Sequence, residues 1–136
     1  RNMGTLGGNV ANGSPIGDMP PALIALGAEL HLRQGGAERS LALEDYFIDY
    51  GKQDRGRGEF VTGVHVPRLA GDEIFRCYKI SKRFDQDISP LLGAYQFRTR
   101  ERPIPTGRLA LGRGAGPPGD WRRARGSPRW RPSIAG

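Results

Sequence analysis

The residues best equipped for chemistry stand at the start of the sequence. Between Arg1 and Asp18 there are five glycines and three asparagines, with Thr5 and Ser14 among them. Glycines let a backbone approach a charged ligand closely and leave N–H groups accessible, and the short polar side chains add hydrogen-bonding atoms. Little of this stretch is suited to a core. On residue types alone two readings stand: a loop that cradles a phosphate or cofactor, or a Gly/Asn-rich surface connection, because a lone Gly-rich run is a weak motif.

The elements that must position this stretch follow it directly. Asp18 is placed to cap a helix, with Pro20 and Pro21 in its first turn, an apolar run from Ala22 to Leu26, and Gly27 as terminator. Such a helix either aims its N-terminal amides and positive dipole end back at an anion on the loop, or merely stops the loop. Ala28 to Arg33 alternates apolar and polar residues, and Gly35-Gly36 separates it from Glu38 to Leu41, which predicts a hairpin. His31 lies on its polar phase and is read as solvent-facing.

Leu43 to Tyr50 is aromatic-rich, and Tyr46, Phe47 and Tyr50 are expected to pack rather than bind a cofactor. Glu59 to Pro67 reads as a strand with Phe60, Thr62, Val64 and Val66 on one face and Val61, Gly63 and His65 on the other. A further strand runs from Glu73 to Ile80, with Ile74, Arg76, Tyr78 and Ile80 on one side. It leads into a basic cluster, Lys79, Lys82 and Arg83, beside Asp85 and Asp87. These are either solvated surface pairs or a cation facing a flavin or nucleotide. Basic neighbours are expected to favour the Cys77 thiolate, although a lone strand cysteine is more often an inert small hydrophobe.

A chain of 136 residues, 37% hydrophobic, allows one domain with a modest core. Its net charge of +7 is unevenly placed. Residues 98–136 hold ten Arg against two acids, so the rest is nearly neutral, and the basic character is no evidence that the folded part binds nucleic acid or an anionic membrane. A single cysteine excludes an intrachain disulfide and any four-Cys iron–sulfur or zinc site. No apolar run approaches membrane-spanning length, and a cytoplasmic setting is expected. From Arg98 onward no helical or strand period is evident. That tail reads either as a disordered Arg/Gly/Pro arm, with Trp121 and Trp130 able to stack on bases, or as the product of a shifted reading frame in a GC-rich gene. The second is the preferred reading, and under it nucleic acid is not an expected partner.

Three ordered stretches carry a family resemblance. Arg1-Asn2-x-Gly4-Thr5-x-Gly7-Gly8-Asn9 with Ser14-Pro15-x-x-Asp18-x-Pro20-Pro21 resembles the flavin-binding signature of the molybdenum hydroxylases. Glu44 to Arg55, and Tyr78 to Arg83 with Asp85-x-Asp87-Ile88-Ser89, are similar to the same family, in particular to the small, iron–sulfur/FAD subunit of bacterial xanthine dehydrogenases. The resemblance spans residues 1–97 and stops at Phe97. It implies an α+β (mixed α/β) chain: residues 1–70 as the C-terminal part of the FAD-binding PCMH-type domain, its second α/β subdomain, and residues 71–97 as the first strands of a CO dehydrogenase flavoprotein C-terminal-like subdomain. Residues 98–136 form the tail. Because the chain begins inside a motif, it is expected to be a fragment of a longer protein.

By matching position, the resemblance implies that Thr5, Gly7, Gly8 and Asn9 contact the pyrophosphate and ribityl region of FAD. It further implies that Asn12 is a small polar contact, that Asp18 accepts hydrogen bonds from FAD, and that Val61 and Lys79 lie near the flavin. No residue is assigned a catalytic or metal-binding role. The parent is expected to be an FAD-dependent oxidoreductase carrying two [2Fe-2S] clusters and a molybdenum cofactor on other parts of the enzyme. Its expected partners are a molybdenum-cofactor-binding large subunit and NAD as electron acceptor, with purines as substrates; the alternatives are the flavin subunit of a related aldehyde, carbon monoxide or aromatic acyl hydroxylase, or an RNA-binding protein acting through the Arg-rich tail. The chain alone is expected to bind FAD weakly and to lack turnover.

Overall fold

The computed structural model describes residues 5–14, 17–49, 51–81, 91–99 and 107–113. The Gly-rich stretch, expected as a loop, contains a short helix, α1, over Leu6–Asn12. Thr5 starts it: its backbone is extended, and its Oγ1 accepts the Gly8 N–H at 3.0 Å. Seven residues with two internal glycines are a poor helix in isolation, since each Gly costs about 1 kcal/mol relative to Ala. Tertiary contacts must hold it, and Val10, fully buried, is the first of them.

Helix α2 (Met19–Leu26) forms as the sequence predicts, with both prolines in its first turn. Its end is closed by Gly27 at φ 73°, whose N–H reaches Ile24 O, while Ala28 N–H reaches Leu23 O at 2.9 Å. That left-handed cap suits Gly best. A Cβ at Gly27 would also displace the guanidinium of Arg108, the mobile end of its side chain.

The predicted hairpin is present as β1 (Glu29–Gln34) and β2 (Ala37–Ala42), antiparallel, with Leu30 opposite Leu41. The chain then makes one turn of helix, α3 (Leu43–Tyr46), and a small antiparallel pair, β3 (Phe47–Asp49) and β4 (Lys52–Gln53). Strand β5 (Phe60–His65) adds to the free edge of β1, giving a sheet ordered β2-β1-β5. The expected two-face alternation in β5 fails. Leu32 pairs with Val61 but His31 pairs with Gly63, so Thr62 is an extra residue and the phase flips across it. Val61 and Val64, assigned opposite faces by simple alternation, therefore both pack on the core.

Strands β6 (Glu73–Ile80), β7 (Leu91–Arg98) and β8 (Gly107–Arg113) form a second antiparallel sheet in that order. Strand β8 corrects the reading of the tail as lacking strand structure. Gly107 to Arg113 pairs with all but the last residue of β7, from Phe97↔Gly107 to Leu91↔Arg113. One face of this sheet packs on α2 through Leu92, Ala94 and Ala110, each at most 5% exposed. The other carries Ile74, Tyr78, Ile80, Phe97 and Leu111 outward, with Tyr95 stacked on Phe97 at 6.1 Å. Trp121 and Trp130, assigned a possible base-stacking role, lie outside the described residues.

A single buried cluster joins the two larger sheets. Val10 of α1, Leu23 and Ile24 of α2, Leu30 and Leu32 of β1, Leu43 and Tyr46 of α3, and Leu92 and Ala110 of the second sheet all belong to it. Helix α2 sits at its centre, with Pro20, Pro21, Leu23, Ile24 and Ala25 all buried. A helix apolar on most of its circumference belongs in such a position.

Candidate functional site

A succession of neighbours connects most of the predicted site residues, from the first turn of α1 through Asn9 and Gly17 to the start of α2 and on to β6. Thr5 and Gly8 are joined through the capping hydrogen bond. Gly7, beside them, has room around it: among the described residues, its own helix backbone aside, a Cβ placed on it would meet no atom within 4 Å. Geometry keeps the Leu6 and Gly7 amides out of the helical hydrogen-bond ladder, so the first turn presents donors around an uncrowded glycine. Asn9 closes the gap to α2, since its Oδ1 lies 3.3 Å from where a Gly17 Cβ would stand.

Asp18 follows Gly17. Sequence reasoning expects it to cap α2 with its side chain, but the structure shows no such hydrogen bond, and its backbone is already in the helical region. Its carboxylate turns instead to β6, where Lys79 Nζ donates to Oδ2 at 2.8 Å. Both side chains stay more than a third exposed, at 37% and 39%. In water such a pair adds little stability, roughly 0–1 kcal/mol. It places one cation and one anion together at the N-terminal end of a helix.

Cys77, two residues before Lys79, is exposed on β6, and its basic neighbours do not lower its thiol pKa. Partial burial pushes its thiol pKa up, and the Asp18 carboxylate adds to the effect. The thiolate is disfavoured, so the structural reading of this cysteine stands.

Val61 is half-buried on β5 and packs against the core near α1. Asn12 is placed apart from the others. It is the last residue of α1, about 7–8 Å along the axis from Gly7 at 1.5 Å per residue, and its carbonyl accepts from Gln53 Nε2 at 3.1 Å. The structure thus brings Thr5, Gly7, Gly8, Asn9, Asp18 and Lys79 into one run and leaves Asn12 at the far end of the helix.

Sequence reasoning missed the residues that hold α1 from behind. The Tyr46 hydroxyl donates to Ala11 O at 3.3 Å, beside the Gln53 contact to Asn12 O. Gly13, at φ 57°, ends the helix against them: a Cβ there would meet Gln53 Nε2 at 2.8 Å and the Phe47 ring at 3.1 Å. Gln53 lies in the Gly51 to Arg55 stretch that the resemblance marks, but nothing in its spacing shows what its amide touches.

A network behind Gln53 fixes the following loop. Arg39 Nε and Nη2 grip Glu59 Oε1 and Oε2 at 2.7 and 2.8 Å, while Nη1 and Nη2 reach Asp54 Oδ2 and O at 3.0 and 2.7 Å. Gly56 N–H also donates to Glu59 Oε2 at 2.8 Å. The Arg39 fork, and then the Gly56 amide, hold the Glu59 carboxyl down at about 2. Charge-assisted forked pairs of this kind are the strong hydrogen bonds of proteins.

An open glycine, first-turn amides, small polar side chains and a Lys/Asp pair beside a second helix start suit an extended anionic cofactor, and FAD fits that donor set. Among the described residues no group of three His, Cys, Asp or Glu is arranged to hold a metal ion. Among them, too, no helix is long and apolar enough to cross a membrane.

The class this arrangement defines is supplied by comparison. Residues 1–69 match the family described as FAD binding domain in molybdopterin dehydrogenase, and the chain belongs to that family. Among its relatives is nicotinate hydroxylase hnxS of Emericella nidulans, 37% identical over 105 residues, which cover 76% of this chain and 8% of that protein. Xanthine dehydrogenase 2 of Arabidopsis thaliana is 32% identical over 103 residues, 75% of this chain and 8% of that protein. The chain therefore spans about a twelfth of the length of these relatives. Among solved structures, the reconstituted CO dehydrogenase from Oligotropha carboxidovorans superposes with a TM-score of 0.72 at 27% identity, over 82% of this chain and 39% of that one. A share of 82% is more than residues 1–97 can supply, so the structural likeness continues past Phe97 and corrects the expectation that it ends there.

Proposed function

We propose that this chain is the FAD-binding, electron-transferring part of a xanthine dehydrogenase-type molybdenum hydroxylase. In that setting a molybdenum-cofactor-binding partner oxidises a purine, iron–sulfur clusters relay the electrons, and NAD is the final acceptor. Bound FAD supplies redox chemistry that couples one-electron carriers to a two-electron acceptor. The observation that carries the reading is the run from Thr5 through Gly7, Gly8 and Asn9 to the Asp18–Lys79 pair, inside a chain of the flavin-binding family.

Each residue has a part in binding. Thr5 fixes the first turn by capping Gly8, Gly7 leaves room for close backbone approach, and Asn9 and Asp18 offer polar atoms along the same line. Lys79 holds Asp18 in place and brings positive charge to the site. Val61 offers an apolar wall. Asn12, at the opposite end of α1, contributes least.

Titrating FAD into the chain and following flavin fluorescence tests the reading. Saturable binding is expected with a dissociation constant of about 1 μM or weaker, and Gly7→Val should abolish it by filling the open face. Binding by the variant equal to that of the parent chain would remove the site. Adding NADH to the loaded chain then separates the acceptors: bleaching of the flavin absorbance supports NAD. The likeness to a nicotinate hydroxylase and to a CO dehydrogenase favours a second reading, a flavin part of a related hydroxylase, and flavin that binds but ignores NADH would support it.

A further inference from the structure

We infer that Gln53, together with Tyr46, is a positioning residue that holds α1 in its flavin-binding conformation by gripping the C-terminal end of the helix. The inference rests on the flavin-binding reading of α1. Three observations carry it.

The first is the weakness of α1 itself. It has seven residues, two of them internal glycines, and such a segment does not hold a helical conformation unaided. Yet Gly7 is the residue that leaves the ligand face open, and a Cβ on Gly8 would stand 2.9 Å from the Thr5 Oγ1 that caps the helix, so the helix is not readily strengthened where it binds. Its order has to come from elsewhere.

The second is where the outside support falls. The last carbonyls of a helix have no partner within it. In α1, Ala11 O receives the Tyr46 hydroxyl and Asn12 O receives the Gln53 amide, from two elements more than thirty residues away in sequence. Gly13 lets them in: its φ is 57°, and a Cβ there would stand 2.8 Å from Gln53 Nε2 and 3.1 Å from the Phe47 ring.

The third is that Gln53 is itself held rigidly. It lies on β4, paired with Phe47 on β3, and its neighbour Asp54 donates its N–H to Tyr46 O at 2.8 Å. The Asp54 side chain and carbonyl are gripped by Arg39, which is locked to Glu59. Gln34 Nε2 ties the same loop to β1 through Arg57 O at 2.6 Å. A side chain on a loop braced in this way can dictate the position of a weaker helix, and the ligand residues at the other end of that helix follow.

Site-resolved hydrogen exchange and FAD titration on the same chain test this. Gln53→Met keeps the shape and removes the donor, and Tyr46→Phe removes only the hydroxyl. Each variant should speed exchange of the Asn9 and Gly13 amides about threefold to tenfold, as expected for one lost hydrogen bond, with β1 and β2 amides unchanged. FAD affinity should fall by a similar factor in each variant. Unchanged α1 exchange would overturn the inference, as would faster α1 exchange with unaltered FAD affinity. Equal acceleration in β1 would also overturn it, because the role would then be general stability. If the parent chain itself takes up no FAD while the exchange arm behaves as expected, the flavin reading falls and the grip on the helix stands.

Discussion

Lys79 Nζ lies 2.8 Å from Asp18 Oδ2, joining the far end of the second sheet to the start of α2 across 61 residues of sequence. The pair is half-exposed, so its contribution to stability is small. Its consequence is positional, because it sets a cation at the start of α2 and turns the Asp18 carboxylate toward β6.

Lys79→Ala should therefore barely change the melting temperature of the chain and should weaken FAD binding by about tenfold, the loss of one charge-assisted contact. Lys79→Arg should retain part of the affinity. Calorimetric melting and fluorescence titration of the same samples distinguish the two effects, and a large drop in melting temperature would assign Lys79 to the fold instead.

Glu59 gives the chain an acid-sensitive joint. Its folded-state carboxyl sits at about 2 against an ordinary 4.5, because Arg39 and the Gly56 amide bind the charged form. A depressed carboxyl stabilises the fold at pH values above the ordinary one, and that contribution fades as pH falls from 4.5 toward 2. Glu59→Gln should thus be less stable than the parent chain at pH 7, with the gap narrowing steadily below pH 4.5. Urea unfolding across that range checks the sign: a gap that widens on acidification would mean that the Arg39 fork is not what stabilises this loop.

Gly27 and Arg108 should prove coupled. Gly27→Ala places a methyl group in a left-handed backbone position and against the Arg108 guanidinium, and should cost about 1–3 kcal/mol. Arg108→Ala should be mild alone and should recover the part of that cost owed to overlap. A double-mutant cycle by chemical denaturation measures the interaction, and strict additivity would place Arg108 away from the helix end.

How much of this was legible in the sequence depended on whether local pattern or distant packing decided each element. The β1–β2 hairpin follows from alternation through Leu30 and Leu32 and the Gly35-Gly36 turn, and α2 from its prolines, apolar run and Gly27. The first segment misleads because glycine argues against helix, whereas Thr5, buried Val10 and the Tyr46 and Gln53 contacts impose one. The bulge at Thr62 leaves no trace in composition, yet it brings Val61 and Val64, expected on opposite faces, to the core together. Strand β8 hides in a segment whose Arg, Gly and Pro content suggests no structure, although Leu109 and Leu111 do alternate. Of the site, the resemblance supplied the names of Asp18 and Lys79, and only the fold supplied their contact. Gln53 was visible as part of a motif and invisible in its role.

The continuity of the core changes what a break in the chain would mean. Leu92, Ala94 and Ala110 share one buried cluster with Val10, Leu30 and Tyr46, while the stretch from Val66 to Gly71 that links the two larger sheets in sequence is exposed throughout. That connector contributes no residue to the buried cluster, and its Ala70 is tied to Glu73 at the start of β6. Cleavage there is expected to leave the two pieces associated through the shared core around α2, which size-exclusion chromatography of the nicked chain would show.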